Sequence, residues 1–124
     1  MTTAEIQLWS IDIDAASHEP GTLLSLLSDD ELKRAARFRI EKHRRRWMAG
    51  RAILRTILSA ITRQSPESLT FEYDEHAKPS LPCSGGHEQI HFNLTHSSDL
   101  ALLAITSVGP VGIDVERIKP ISNI

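Results

Sequence analysis

Residues 28–61 read SDDELKRAARFRIEKHRRRWMAGRAILRTILSAI, and the rest of the fold must be arranged around them. Ser28-Asp29-Asp30-Glu31 is a capping-box sequence: the Ser hydroxyl can accept from the Glu amide while the Glu carboxylate reaches back. The acidic residues there also suit the positive end of a helix dipole. A helix is therefore predicted from this cap towards Phe38, and a longer one from about Glu41 to Ile61. Along the longer one Trp47, Gly50, Leu54, Ile57, Leu58 and Ile61 recur at three- and four-residue intervals and make one apolar face. Arg44, Arg45, Arg51 and Arg55 fall mostly off that face. Gly50 costs a helix roughly 1 kcal/mol against Ala, and a close helix-to-sheet approach is the expected reason for it.

The flanks read as strands. Ile6 to Ile13 alternates as a strand, His18-Glu19-Pro20-Gly21 breaks it, and a short apolar helix is predicted over Thr22–Leu27. Gln64-Ser65-Pro66 ends the long helix. Strands are then predicted over Leu69–Tyr73, His91–Leu94, Leu100–Thr106 and Val111–Val115, with loop from Asp74 to Gly86 and a turn at Gly109-Pro110. Strand, helices, then several strands is an α+β order, not a regular βαβ array.

At 124 residues the chain has the size of one domain. A composition 40% hydrophobic and 24% charged excludes disorder, collagen-like repeats and coiled coil. Leu100 to Ile105, the longest apolar run, is far too short to cross a membrane. Met1 to Gln7 shows no secretory signal, and the lone Cys83 cannot form an internal disulfide, so a soluble cytoplasmic protein is expected. The net charge of −2 conceals an asymmetry. Nine of the fourteen basic residues lie between Lys33 and Arg51, opposed there only by Glu41. Such a field attracts phosphates or an acidic surface. A nucleic-acid partner is not expected, because few aromatics interleave with the basic residues and the net charge is negative.

Asp114 and Glu116 are the sharpest chemical pair. Two residues apart on a strand, they would share a face and could offer a half-site to Mg²⁺, which takes one or two carboxylates and fills its shell with water and phosphate oxygens. They could equally be solvated carboxylates paired by Arg117 and Lys119. The polar segment Asn93-Leu94-Thr95-His96-Ser97-Ser98 could bind an oxyanion, although its serines could also be helix caps and His96 a partly buried histidine without a ligand. Lys78, beside Pro79, offers a point charge to a phosphate. Cys83, His87, His91 and His96 lack standard zinc-ligand spacings.

In order, Lys78-Pro79, Phe92-Asn93-Leu94-Thr95-His96-Ser97 and Val111-Gly112-Ile113-Asp114-Val115-Glu116 resemble the 4′-phosphopantetheinyl transferases of the large, surfactin-synthetase-activating type. The stretch from Arg37-Phe38 through Trp47-Met48-Ala49-Gly50-Arg51 to Arg55 is similar too. The resemblance covers about residues 28–120. Ala77 stands where the family usually has Gly, and Thr95 where it usually has Ser.

The resemblance implies that residues 1–124 are the N-terminal lobe of a two-lobed fold, an antiparallel sheet packed on a long helix. It implies transfer of the phosphopantetheine arm of coenzyme A to a serine of an apo acyl or peptidyl carrier protein, releasing 3′,5′-adenosine bisphosphate. Asp114 and Glu116 match the family's Mg²⁺ ligands. Lys78, Thr95 and His96 match positions that grip the coenzyme phosphates, and Arg34 a basic position that reaches the 3′-phosphate. The family's Lys-Glu motif, with the third metal ligand and the general base, lies well beyond the metal Asp, whereas ten residues follow Asp114 here. No catalytic base is therefore expected in this chain, and the isolated chain is expected to be inactive. The alternative is a non-catalytic half-enzyme that binds coenzyme A or a carrier protein, and a homodimer could form through the face that the missing lobe would cover.

Overall fold

The computed structural model describes residues 5–16, 20–82 and 89–114. Its elements run β1 (Gln7–Asp12), α1 (Ile13–Ala16), α2 (Pro20–Leu26), α3 (Asp29–Ala36), α4 (Glu41–Thr62), β2 (Glu72–Tyr73), β3 (Pro79–Ser80), β4 (His91–Ser97) and β5 (Leu100–Thr106), with a 3-10 turn at Pro66–Ser68. The capping box forms: Ser28 Oγ accepts the Glu31 amide at 3.2 Å, and Glu31 Oε1 accepts the Ser28 amide at 2.9 Å. Together these satisfy two amides that a helix start leaves unpaired. At the far end of α3, Arg44 donates to the carbonyls of Ala35 and Phe38 at 3.2 and 2.6 Å, so a side chain of α4 closes the corner between the two helices.

Three strands form one antiparallel sheet in the order β1-β5-β4. Gln7 to Asp12 pair with Ile105 to Leu100, and His91 to Ser97 pair with Thr106 to Leu100. Residues opposite one another share a face. Ile11, Ala101, Leu103, Ile105, Phe92 and Leu94 therefore lie on one side, where they join Leu54, Ile57 and Leu58 of α4 in the core. Leu8, Leu102, Ala104, Asn93 and Thr95 lie on the other. The α+β class, an antiparallel sheet against a long helix, is the observed one.

Several local expectations change. Pro20 and Gly21 open α2 instead of ending an element, since a fixed φ suits the first helical turn. β4 continues through Thr95, His96 and Ser97, because its ladder with β5 runs to the hairpin turn whatever the polarity of the side chains. Of Leu69–Tyr73 only Glu72-Tyr73 pairs, with Pro79-Ser80, although Leu69 and Phe71 are buried. Residues 111–114 form no strand, and the Ile113 amide donates to the Asn93 side chain at 3.1 Å. Arg51 and Arg55 are buried at 6% and 2% exposure, a reversal of their expected outward position. Both reach Glu31, itself only 1% exposed, at 3.2 and 2.7 Å. Paired charges with long apolar stems can enter a core that an isolated guanidinium could not. A methyl group at Gly50 would meet nothing within 4 Å, so close packing is not the reason for that glycine.

Candidate functional site

Lys78 is carried by the turn between β2 and β3. Asp74 Oδ1 accepts the amides of His76 and Lys78 at 2.8 and 2.9 Å, and the Ala77 amide closes back onto the Asp74 carbonyl at 3.0 Å. These donors, the Lys78 amide foremost, hold the Asp74 carboxyl below its usual pKa. Ala77 adopts a left-handed φ of 61°. Lys78 is exposed and lines a cleft of about 230 Å³ with Asp74, Ser80, His91, Pro110 and Val111, the last of which lies three residues before Asp114.

Thr95 and Asp114 come together. The Thr95 hydroxyl donates to Asp114 Oδ1 at 3.4 Å, on the sheet face opposite the core. The Asn93 bond to Ile113 brings the chain across β4 at that point. Glu116, read with Asp114 as a pair, lies outside the described residues, as do Cys83 and His87. Among the described residues no group of three or more His, Cys, Asp or Glu is gathered as a metal cluster. His91 and His96, five residues apart on β4, fall on opposite faces.

His96 is next to Thr95 but turns the other way. With Phe92 and Leu94 it faces the helices, and it lines a hollow of about 570 Å³ with Phe38, His43, Arg46, Trp47 and Ser98. Arg46 is fixed there by two hydrogen bonds to the Asp14 carboxylate at 2.9 and 3.0 Å, which raise its already high pKa further. Phe38 and Trp47 pack with ring centres 6.2 Å apart and also wall a second hollow, which holds Arg34 and Arg37. The Arg34 guanidinium lies 5.6 Å from the Trp47 ring centre and 5.2 Å from that of Tyr73.

The residues singled out in the sequence thus fall into three neighbourhoods. Lys78 has its own cleft, Thr95 and Asp114 meet on the outer face of the sheet, and His96 and Arg34 flank Phe38 and Trp47 from two sides. Sequence reasoning missed His43 and Arg46 as lining residues, because the basic run was weighed as a field. It also assigned Trp47 to the core alone. The signal available was parity: His96 lies an even number of positions from Phe92 and Leu94, so it must face the helices with them.

A protein-family profile for the N-terminal part of 4′-phosphopantetheinyl transferases matches residues 14–108. The chain belongs to the 4′-phosphopantetheinyl transferase family. It is 40% identical over 120 residues to the 4′-phosphopantetheinyl transferase HetI of Nostoc sp., an alignment that covers 97% of this chain and 51% of that protein. It is 34% identical over 119 residues to the transferase psf-1 of Bacillus pumilus, covering 94% and 48%. To the transferase Sfp of Bacillus subtilis it is 28% identical over 112 residues, covering 90% and 48%. The chain spans about half the length of these transferases.

Proposed function

We propose that residues 1–124 are the N-terminal lobe of a phosphopantetheinyl transferase of the surfactin-synthetase-activating type, working in the cytoplasm. The whole protein would move the phosphopantetheine arm of coenzyme A to a serine of an apo acyl or peptidyl carrier protein and release 3′,5′-adenosine bisphosphate. The observation that carries this reading is the approach of Asp114 to Thr95, with the Lys78 cleft opening along the same segment at Pro110 and Val111.

In this reading Arg34, Lys78, Thr95 and His96 bind the coenzyme, and Asp114 and Glu116 hold Mg²⁺. The donor chemistry fits: Asp114 is an exposed carboxylate beside the Thr95 hydroxyl, an oxygen donor of the kind a hard cation takes. A hard cation that keeps several waters needs no more than one or two such oxygens from the protein. When bound, Mg²⁺ neutralises charge on the coenzyme's pyrophosphate. Lys78, from its exposed turn, adds a cation to the same phosphates, and Thr95 fixes the Asp114 carboxylate in place through its hydroxyl. Such groups act by orienting the phosphorus for in-line attack and by offsetting charge that develops on the leaving oxygen. No general base is assigned to residues 1–124.

The test incubates the purified chain with coenzyme A, Mg²⁺ and an apo carrier protein, reading binding by calorimetry and transfer by the mass of the carrier. Coenzyme A is expected to bind without transfer, and Asp114→Asn is expected to remove the Mg²⁺ dependence of binding. No binding of coenzyme A refutes the reading, and transfer by the isolated chain refutes its division of labour.

A second reading keeps the lobe as a binding module that pairs with another copy of itself. Its support is the outer face of the sheet, where Leu8 is 69% exposed, beside Ile6 at 57% and Val108 at 66%.

A further inference from the structure

Arg34 owes its place to a chain of contacts that begins in the core. Glu31, whose Oε1 already accepts the Ser28 amide, accepts Arg51 through Oε2 at 3.2 Å and Arg55 through Oε1 at 2.7 Å. Arg51 uses the same nitrogen, Nη1, to donate to the Tyr73 hydroxyl at 2.7 Å. Tyr73 is 41% exposed and opposes Pro79 in the β2-β3 ladder, one residue from Lys78. Its ring faces Arg34 at 5.2 Å, while Trp47 faces the same guanidinium at 5.6 Å. Arg51 in turn lies 5.0 Å from the Trp47 ring centre and 5.7 Å from that of Tyr73. Two aromatic faces therefore meet the half-buried Arg34, and both rest on a buried cation whose own partner is fixed by a helix cap.

We infer that Tyr73 is a positioning residue: held by Arg51 through its hydroxyl, its ring fixes the Arg34 guanidinium against Trp47, and so sets how well the chain distinguishes a 3′-phosphorylated adenine nucleotide from one without that phosphate. This rests on the reading of Arg34 as a contact to the 3′-phosphate. A long cationic side chain that roams loses rotamer entropy when it meets an anion, and one already stacked between rings has lost it beforehand. The ring faces leave the edge of the guanidinium, with its N–H groups, available to a phosphate.

The test compares coenzyme A with 3′-dephospho-coenzyme A by calorimetry on the 124-residue chain and its Tyr73→Phe, Tyr73→Leu and Arg34→Gln variants. The wild-type chain is expected to prefer coenzyme A. Tyr73→Leu is expected to weaken coenzyme A about fivefold, the scale of one well-placed cation–ring contact, and to leave the dephospho compound unchanged. Tyr73→Phe keeps the ring but loses the bond from Arg51, so its affinity for coenzyme A should fall between wild type and Tyr73→Leu. The double variant Arg34→Gln/Tyr73→Leu should bind no more weakly than Arg34→Gln alone, because Tyr73 acts through Arg34. Equal loss for both ligands in Tyr73→Leu, or additive losses in the double variant, overturns the inference while leaving coenzyme binding intact. Failure of the wild-type chain to bind either ligand instead removes the functional reading and the 3′-phosphate role with it. The Arg34 Nε–H resonance gives a readout without ligand: it must shift between wild type and Tyr73→Leu, and an unchanged resonance refutes the positioning itself.

Discussion

Ala77 holds a φ of 61° in the turn that presents Lys78. That conformation costs an L-residue roughly 1–2 kcal/mol, and a glycine would avoid it at about 0.5–1 kcal/mol of extra chain entropy. Ala77→Gly is therefore expected to stabilise the chain by up to about 1 kcal/mol, measured as a higher urea midpoint with an unchanged slope. A lower midpoint would show that the alanine methyl makes a contact worth more than the strain. The same turn has a pH dependence of defined sign. Asp74 has its folded pKa depressed, chiefly by the Lys78 amide, so its contribution is complete above the unfolded carboxylate value and fades as the pH falls through the folded one. The amide resonances of His76 and Lys78 should titrate together, with a midpoint below that of an unstructured Asp, and a midpoint at or above the ordinary value would contradict the bonds to Oδ1. The Lys-Pro turn was legible in the sequence. The left-handed residue was not read, since alanine itself carries no signal for it and the family's usual glycine at that position was the one hint.

Helix α4 shows where periodicity suffices and where it fails. Its span and the burial of Leu54, Ile57 and Leu58 follow from the spacing of apolar residues. Gly50 sits inside this helix with open space where a Cβ would go, so Gly50→Ala should gain about 1 kcal/mol from helix propensity. Thermal unfolding reads that gain as a rise in Tm, and a fall would place an unforeseen clash at the site. Arg51 and Arg55 are what periodicity misplaces. A hydrophobicity pattern scores both as outward, while the fold spends them on a carboxylate from another helix. Glu31→Gln would leave two buried guanidinium groups short of their counter-charge, at a cost of about 3–5 kcal/mol. Chemical denaturation should show that loss, and a change under about 1 kcal/mol would mean that solvent already screens the trio. The end of β4 was missed for a related reason. Thr95-His96-Ser97 is polar in sequence, and only pairing with the apolar β5 reveals that it is strand.

The charge asymmetry of the whole chain divides in two once the contacts are known. Arg44 closes the α3-α4 corner, Arg45 pairs with Glu41, Arg46 with Asp14, and Arg51 with Glu31. Much of the basic run is therefore structural, whereas Arg34, the residue proposed to meet the ligand, lies against the Trp47 and Tyr73 rings. The family motifs in the sequence brought Thr95 and Asp114 to notice, but the separation of His96 from its neighbour required the pleat of β4. The outer face of the sheet is the remaining large feature. Leu8 lies on it, opposite Ala104, and the Ile6 and Val108 side chains are exposed near one end of β1 and β5. Isolated exposed apolar residues are ordinary, but Leu8 on this face, with Ile6 and Val108 just outside the strands, offers apolar area to a second surface. If that surface is another copy of this chain, sedimentation equilibrium should show mass rising towards a dimer with concentration. Leu8→Glu, which places a charge in the contact without touching the core, should return the chain to a monomer and leave its Tm nearly unchanged at low concentration. A wild-type chain that sediments as a monomer across the attainable concentrations removes the dimer reading, whereas a dimer that survives Leu8→Glu assigns the contact to a different face.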